Sequence, residues 1–170
     1  MKLILFRHGP AEDRDAERWP DDSVRPLSRW GERRTRAAAQ GLRRFEGKID
    51  RILTSPFVRA DRTAGILCQA LGFDEPEKLD AAVPGGSQRR ILDALNGGKH
   101  AETVVLVGHE PDLGILAGLL VMNGNGTFPL KKAGACAIEF DGPVRAGAGT
   151  LAWFAPPRLL CRIARKKVAI

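Results

Sequence analysis

The sequence predicts a three-layer α/β sandwich, with helices on both faces of a mostly parallel sheet. Two observations favour this fold class. Residues 3–6 and 104–107 are uninterrupted apolar runs, which are typical of strands buried on both faces. A helical pattern follows each predicted strand, and this alternation of strand and helix is characteristic of parallel sheets.

The first predicted helix follows an aperiodic polar loop at residues 10–26. Ser28 is a suitable N-cap, and the helix runs to about Phe45. Arginines occupy the face opposite a rough apolar stripe, which therefore faces the core. The stripe consists of Trp30, Ala37, Ala38, Leu42 and Phe45.

A second strand is predicted at residues 49–54, and it leads into the clearest helix of the chain. Ser55 is its expected N-cap, Pro56 its first helical residue and Gly72 its C-cap. Arg59 lies in the first turn, where a cation opposes the helix dipole. Either an anion binds at this helix end, or Arg59 is a surface side chain that reaches outward.

The rest of the chain alternates in the same way, and residues 1–170 are expected to form a single domain. Two alternatives remain open for residues 156–170, a short basic helix or a loose basic tail. The intervening elements are a short strand near residues 78–79, a helix at 87–95, a strand at 103–107, a helix at 111–121, and strands at 135–140 and 150–154.

Composition excludes several classes of protein. No apolar run approaches the length of a membrane span, and residues 3–6 are too short for a signal peptide, so we expect a cytoplasmic protein without a membrane partner. The three cysteines lack a Cys-x-x-Cys spacing and fit reduced thiols better than a disulfide framework or a zinc site.

The net charge is +7, which indicates either an acidic partner or merely a solvated basic surface. The basic clusters at residues 29–44 and 158–167 lack interleaved aromatics, and no nucleic-acid-binding signature is present, so we expect no nucleic-acid partner. For most of these arginines the solvated surface is the favoured interpretation.

Three junctions between a strand and a helix carry the polar residues that predict chemistry. Arg7 and His8 follow the first strand, Arg59 follows the second, and His109 follows the strand at 103–107. If these strands are parallel, the three junctions meet at one edge of the sheet. Two histidines and two arginines would bind a dianion such as a phosphoryl group, whereas arginines repel a metal ion. His100 lies in a polar loop and is expected to be incidental.

Three sequence segments, in this order, resemble the motifs of the histidine phosphatase superfamily, which includes phosphoglycerate mutases and acid phosphatases. They read LFRHG at residues 5–9, SPFVRA at 55–60 and VGH at 107–109. Chain length and the segment VRPLS at 24–28 are most similar to SixA-type phosphohistidine phosphatases. The resemblance implies a phosphoglycerate mutase-like fold and spans residues 2 to about 154.

The resemblance also implies roles for individual residues. His8 is the nucleophile that becomes phosphorylated, and Arg7, Arg59 and His109 hold the phosphoryl oxygens. The expected substrate-binding set is completed by Arg25, Gly9 and Ser55. No metal and no cofactor is implied. Neighbouring arginines favour a neutral His8, because a second positive charge nearby is disfavoured.

A general acid for the leaving group, which many relatives have, is not assigned by the motifs. Glu12 in the loop after Gly9 and Asp80 near the third strand are the candidates. For each of them, an exposed surface carboxylate is the alternative. SixA-type enzymes resemble this chain in having no obvious acid and no inserted lid.

The resulting hypothesis is a metal-independent phosphatase that acts through phospho-His8 on phosphohistidine in a signalling protein, with a histidine-phosphotransfer domain as one candidate partner. A basic rim formed by Arg25 and the arginines of the first helix is expected to dock an acidic protein surface. Two alternatives remain open: a small-molecule phosphomonoesterase of the same superfamily, and a non-catalytic phosphoprotein-binding module.

Overall fold

The structure, a computed structural model, describes residues 1–97 and 101–165. The strands in these residues are β1 (Lys2–Arg7), β2 (Arg51–Thr54), β3 (Glu77–Lys78), β4 (Thr103–Gly108), β5 (Ala135–Glu139) and β6 (Thr150–Ala155). They form one sheet in the order β3-β2-β4-β1-β5-β6. Strands β1 to β4 are parallel to one another. Strand β5 pairs antiparallel with β1, and β6 pairs antiparallel with β5. The prediction of a mostly parallel sheet is confirmed.

Helices cover both faces of this sheet. They are α1 (Arg29–Phe45), α2 (Val58–Leu71), α3 (Gln88–Gly97), α4 (Asp112–Met122) and α5 (Pro157–Arg165). Buried side chains of α1, α2 and α5 form one apolar cluster with the sheet, and those of α3 and α4 form the other. This confirms the three-layer sandwich.

Strand β1 is the centre of the core. Ile4 and Phe6 join the cluster on one face, while Leu3 and Leu5 join the cluster on the other. All four side chains are fully buried, which accounts for the uninterrupted apolar run in the sequence.

Strand β4 lies between β1 and β2 and is parallel to both. Its pairing places Arg7 beside Gly108 and Thr54 beside Val107. The segments that leave these three strands therefore emerge together at one edge of the sheet, where ligands bind in open α/β folds.

Some predicted details are wrong. Helix α2 begins at Val58 and has Phe57 as its N-cap without a side-chain capping bond, so Ser55 is not the cap. The apolar stripe of α1 is narrower than predicted, because Trp30 and Phe45 are 53% and 47% exposed. The second strand begins at Arg51 rather than at residue 49.

The described part of the segment after β6 is a helix, and the alternative of a loose tail stays open for the residues beyond it. Residues Pro157–Arg165 form α5, and its Leu160 is fully buried in the cluster that includes α1. Residues 166–170 and His100 lie outside the described residues. Among the helices that the structure describes, none is both long and apolar enough to cross a membrane.

The contact between α1 and α5 depends on Gly41, and this yields a prediction. A Cβ atom on Gly41 would lie 2.0 Å from the carbonyl oxygen of Leu160. We expect Gly41→Ala to lower the free energy of unfolding by about 1–3 kcal/mol, since α5 must shift outward. The measurement is urea unfolding.

The matched control is Gly65→Ala in α2, where an added Cβ meets no atom within 4 Å. There the higher helix propensity of alanine should raise the free energy of unfolding by about 0.5–1 kcal/mol. If both substitutions changed the free energy of unfolding by the same amount, the close contact between α1 and α5 at Gly41 would be contradicted.

Candidate active site

The four residues predicted to form the site lie together at the edge of the sheet. Arg7 ends β1, His8 follows it, Arg59 lies in the first turn of α2, and His109 follows β4. The rings of His8 and His109 are 5.1 Å apart between centroids. All four side chains line a cleft of about 330 Å³.

His8 is held as a neutral imidazole with a defined tautomer. Its Nδ1 lies 2.7 Å from the carbonyl oxygen of Gly9, which accepts only, so Nδ1 carries the proton and donates it. Burial lowers the pKa of His8 to about 3, and the charges of Arg59 and Arg7 add to the effect of burial. At neutral pH, Nε2 therefore has a lone pair available for nucleophilic attack.

Gly9 orients His8, is bonded to α2 and lies close against α1. Its N–H donates to Oγ1 of Thr63 in α2 at 3.0 Å. A Cβ atom at this position would lie 2.1 Å from Oγ1 of Thr35 in α1. The N–H of Gly9 is thus not offered to a substrate, and its carbonyl group serves to position the imidazole of His8.

The two arginines are partly tied to the protein and partly unpaired. Arg7 donates from Nη1 to the carbonyl oxygen of Leu130 at 2.7 Å. Arg59 donates to the backbone and side chain of Asp22 at 2.7 and 2.8 Å. The Nε atoms of both arginines are buried without a hydrogen-bond partner among the described residues. Such buried donors are costly unless an acceptor binds to them.

His109 contributes a third unpaired donor, and Ser55 determines its tautomer. Nε2 of His109 lies 2.9 Å from Oγ of Ser55, which also accepts the N–H of Phe57 at 3.3 Å. We assign the hydroxyl proton of Ser55 to Nε2, because no other acceptor for it is found among the described residues. Nδ1, which is buried without a partner, then carries the proton of the neutral ring.

The site therefore contains three buried side-chain nitrogens without a partner, on residues that all line the cleft. In the described part of the chain, four buried side-chain polar atoms have no partner, and three of them belong to Arg7, Arg59 and His109. The fourth is Nε1 of Trp19. Burial also lowers the pKa of His109 to about 3, helped by the charge of Arg59, so both site histidines are neutral. This arrangement suits a tetrahedral oxyanion beside a nucleophilic imidazole.

Asp22 is a site residue that the sequence analysis misses. It bonds Arg59 and also accepts from Nε of Arg25 at 2.8 Å. Burial opposes its ionisation, but the bond from Arg25 and the charges of Arg59 and Arg25 hold its pKa below the usual value. Asp22 lies in a polar loop without periodicity, and its position three residues before Arg25 was the only available signal.

Arg25 lies in the cleft but not on an open rim, contrary to the sequence-based expectation. Its side chain is buried, and it donates from Nη1 to the carbonyl oxygen of Glu12 at 2.7 Å. Together with the bond to Asp22, this contact makes Arg25 a support for the loop that covers Arg59.

The structure separates the two candidates for a general acid. Glu12 lines the cleft, whereas Asp80 is exposed in a short turn and does not line it. A further carboxylate, Glu110, also lines the cleft, and burial raises its pKa. Glu110 accepts the N–H of Leu130 at 2.9 Å and a backbone bond from Gly114, so it supports the segment that holds Arg7.

No group of three or more His, Cys, Asp or Glu side chains is placed to hold a metal ion in residues 1–97 and 101–165. The donors that converge in the cleft are guanidinium and imidazole groups, which suit an anion rather than a cation. Metal independence therefore stays a prediction of the site chemistry.

Comparisons with known proteins agree with this architecture. The sequence model of the histidine phosphatase superfamily (branch 1) matches residues 3–82. An uncharacterized protein of Picosynechococcus is 39% identical over 153 residues, covering 88% of this chain and 91% of that protein. The phosphohistidine phosphatase SixA of Escherichia coli is 30% identical over 162 residues, covering 92% of this chain and 94% of SixA. The chain belongs to the histidine phosphatase superfamily and is one of its SixA-like members.

Solved structures show the same fold. A structure of the protein histidine phosphatase SixA complexed with tungstate superposes with a TM-score of 0.79 at 28% identity, covering 94% of this chain and 99% of that one. A phosphoserine phosphatase from Entamoeba histolytica reaches a TM-score of 0.67 at 19% identity, covering 94% and 98% of the two chains, which shows a shared fold alone.

The assignment of the His109 tautomer predicts the effect of Ser55→Ala. Without the hydroxyl group, the proton of the neutral ring is no longer confined to Nδ1, so one donor to the anion is lost part of the time. We expect kcat to fall about tenfold with little change in unfolding temperature. Ser87→Ala, which removes an exposed hydroxyl at the start of α3, is the control and should leave kcat unchanged.

The buried neutral histidines also predict how stability depends on pH. Because the pKa of His8 and of His109 falls from 6.5 to about 3 on folding, the unfolded chain binds more protons below pH 6.5. The free energy of unfolding therefore has its highest contribution from these histidines above pH 6.5, and this contribution is lost as the pH falls below that value. Each histidine should account for on the order of 2 kcal/mol between pH 7 and pH 5.

The measurement is urea unfolding at pH 7 and pH 5 in a buffer without phosphate. The double variant His8→Gln/His109→Gln should show a much smaller decrease in unfolding free energy over this interval. An equal decrease in the double variant would show that other groups cause the pH dependence.

Proposed function

We propose that this protein hydrolyses phosphohistidine on a protein substrate, through a covalent phosphoryl group on His8 and without a metal ion. The observation that carries the proposal is the neutral His8 beside three buried unpaired donors, on Arg7, Arg59 and His109. Phosphoryl transfer needs mainly positioning and charge stabilisation, and this cleft supplies both.

In the first step, Nε2 of His8 attacks the phosphorus atom of the substrate. A bond forms between phosphorus and Nε2, and the bond from phosphorus to the imidazole nitrogen of the substrate breaks. The other ring nitrogen of the substrate is already protonated, so the departing nitrogen keeps the electron pair and the leaving group is a neutral imidazole that needs no proton from the protein. Arg7 and Arg59 donate to the phosphoryl oxygens, and Nδ1–H of His109 adds a third donor.

In the second step, a water molecule attacks the phosphorus atom of phospho-His8. The new bond joins phosphorus to the water oxygen, and the bond to Nε2 breaks, with its electron pair returning to the ring. The proton of the water leaves with phosphate. The carbonyl of Gly9 holds Nδ1–H throughout, so the ring stays oriented in both steps.

The carboxylates of the cleft favour a phosphohistidine substrate. Asp22 is occupied by two arginines, and Glu110 is occupied by backbone N–H groups. An ester requires a proton for its alkoxide leaving group, whereas a protonated imidazole leaves readily. The names of the relatives, a phosphohistidine phosphatase and a protein histidine phosphatase, support the same substrate class.

A small-molecule phosphomonoesterase is the second candidate, and one observation favours it. Glu12 lines the cleft and, within the described residues, forms an ion pair with the exposed Arg18 at 3.8 Å alone. Glu12 is thus a candidate general acid for an ester, as is Asp13, which also lines the cleft.

The nucleophile assignment predicts that His8→Ala abolishes turnover. Rapid quenching at alkaline pH should trap an acid-labile phosphoenzyme in the unsubstituted protein and none in the variant. His8 follows a strand at the edge of the core, so the variant should still fold, which circular dichroism can check. An active His8→Ala protein would contradict the mechanism, and tight phosphoprotein binding without any turnover in either protein would favour a binding module.

The substrate class predicts a ranking of catalytic efficiencies. We expect kcat/KM for a phosphohistidine-bearing protein to exceed that for phosphoserine or a sugar phosphate by at least about tenfold, or roughly 1.4 kcal/mol. The assays use one enzyme preparation at neutral pH in the presence of EDTA. Equal efficiency on a sugar phosphate would favour the phosphomonoesterase, and Glu12→Gln would then test its general acid.

A further inference from the structure

A second groove adjoins the active-site cleft. It encloses about 580 Å³, and Arg7 and Lys132 line both the groove and the cleft. Trp30 of α1 forms one wall, and Pro156 and Pro157 at the start of α5 form another part of the lining. We call it the Trp30 groove. A molecule bound to its lining would be in contact with Arg7, one of the residues assigned to the phosphoryl group.

The charged side chains of the Trp30 groove are all basic. Besides Arg7 and Lys132, they are Arg34, Lys131 and Arg158, and none of the described residues places a carboxylate in its lining. Arg34, Lys131 and Arg158 form no ion pair with any residue in 1–97 or 101–165. Unpaired cations on one surface attract a partner of opposite charge.

Several basic side chains elsewhere on the surface pair with carboxylates. Arg36 and Arg62 share Glu32, and Arg51 pairs with Glu77. The Trp30 groove differs from these sites because its charged lining is entirely basic within the described residues.

Trp30 adds an apolar anchor to this basic surface. Its side chain is 53% exposed, and the guanidinium group of Arg34 stacks on its ring at 5.0 Å. Exposed tryptophan and arginine are the residue types that contribute most to binding energy at protein interfaces. The apolar stripe of α1 does not explain this exposure, because Ala38 and Leu42 face the core instead.

We propose that the Trp30 groove docks an acidic segment of the protein that carries the phosphohistidine, which deepens the proposed function and rests on it. The phosphohistidine enters the cleft at Arg7, and carboxylates of the same partner contact Arg34, Lys131 and Arg158. The ring of Trp30 packs against apolar side chains of the partner. The groove thereby selects for protein substrates over free phosphohistidine.

A protein surface fits the groove better than a nucleic acid. Single-stranded nucleic acids bind to several aromatic rings in succession. Trp30 is the sole aromatic side chain that lines the groove within the described residues, and Arg34 already stacks on its ring. Prolines form much of the remaining lining and offer no charge to successive phosphates.

The test compares a protein substrate with a small one. The variants are Trp30→Ala and the double variant Lys131→Glu/Arg158→Glu, in which an acidic residue near the start of α5 also suits the helix dipole. The substrates are a phosphorylated histidine-phosphotransfer domain with an acidic face and free phosphohistidine. For the domain, we expect KM to rise about tenfold or more in each variant. For free phosphohistidine, kcat/KM should change less than about twofold, since neither variant alters the cleft.

The control variant is Arg145→Glu. Arg145 is exposed in the connection between β5 and β6, at the opposite edge of the sheet from the cleft. The KM and kcat/KM of this variant should equal those of the unsubstituted protein for both substrates. The salt dependence of kcat/KM for the domain should become shallower in the Lys131→Glu/Arg158→Glu variant and not in the control.

The outcomes separate the two proposals. If the unsubstituted protein cleaves free phosphohistidine but not the domain, the proposed protein substrate and the docking role both fail. If it cleaves the domain and the groove variants behave like Arg145→Glu, the docking proposal alone fails. If the variants instead lose binding of a single-stranded DNA oligonucleotide and keep full activity on the domain, the groove binds nucleic acid and the docking proposal is overturned.

Discussion

The pairing of β4 with both β1 and β2 is the constraint on which the site depends. Strand β4 is parallel to each neighbour, so the segments after the three strands emerge at one edge. A slip of one residue would exchange the two buried faces of β1, which the packing of both apolar clusters opposes. The closeness of His8 and His109 is therefore a product of core packing, and no direct bond between the rings is needed.

One carboxylate balances part of the positive charge in the cleft. Asp22 compensates Arg59 and Arg25, but the Nε atoms of Arg7 and Arg59 have no hydrogen-bond partner among the described residues. Under the proposed function, a bound phosphoryl group would supply acceptors to these side chains and raise the pKa of His8 and His109. Before an anion binds, burial and the neighbouring arginines favour a neutral His8.

The sequence predicts those parts of the fold and site that follow from local pattern. Buried strands, the helices after them and the polar residues at strand ends are all visible in it, and hence Arg7, His8 and His109. The roles of Ser55 and Asp22 were not predictable, because their partners lie far away along the chain. Ser55 fits an N-cap pattern locally, but the bond to His109 determines its position. The exposure of Trp30 likewise depends on how α5 packs against α1.

Gly9 and the Trp30 groove differ in how much substitution each can tolerate. The N–H of Gly9 donates to Thr63, a side chain here would collide with Thr35, and the carbonyl of Gly9 accepts from His8, so a substitution would displace the imidazole that the proposed mechanism uses. The basic residues around Trp30 lie on the surface, where most substitutions cost little stability. Under the proposed function, docking of a partner can therefore be altered independently of the chemistry.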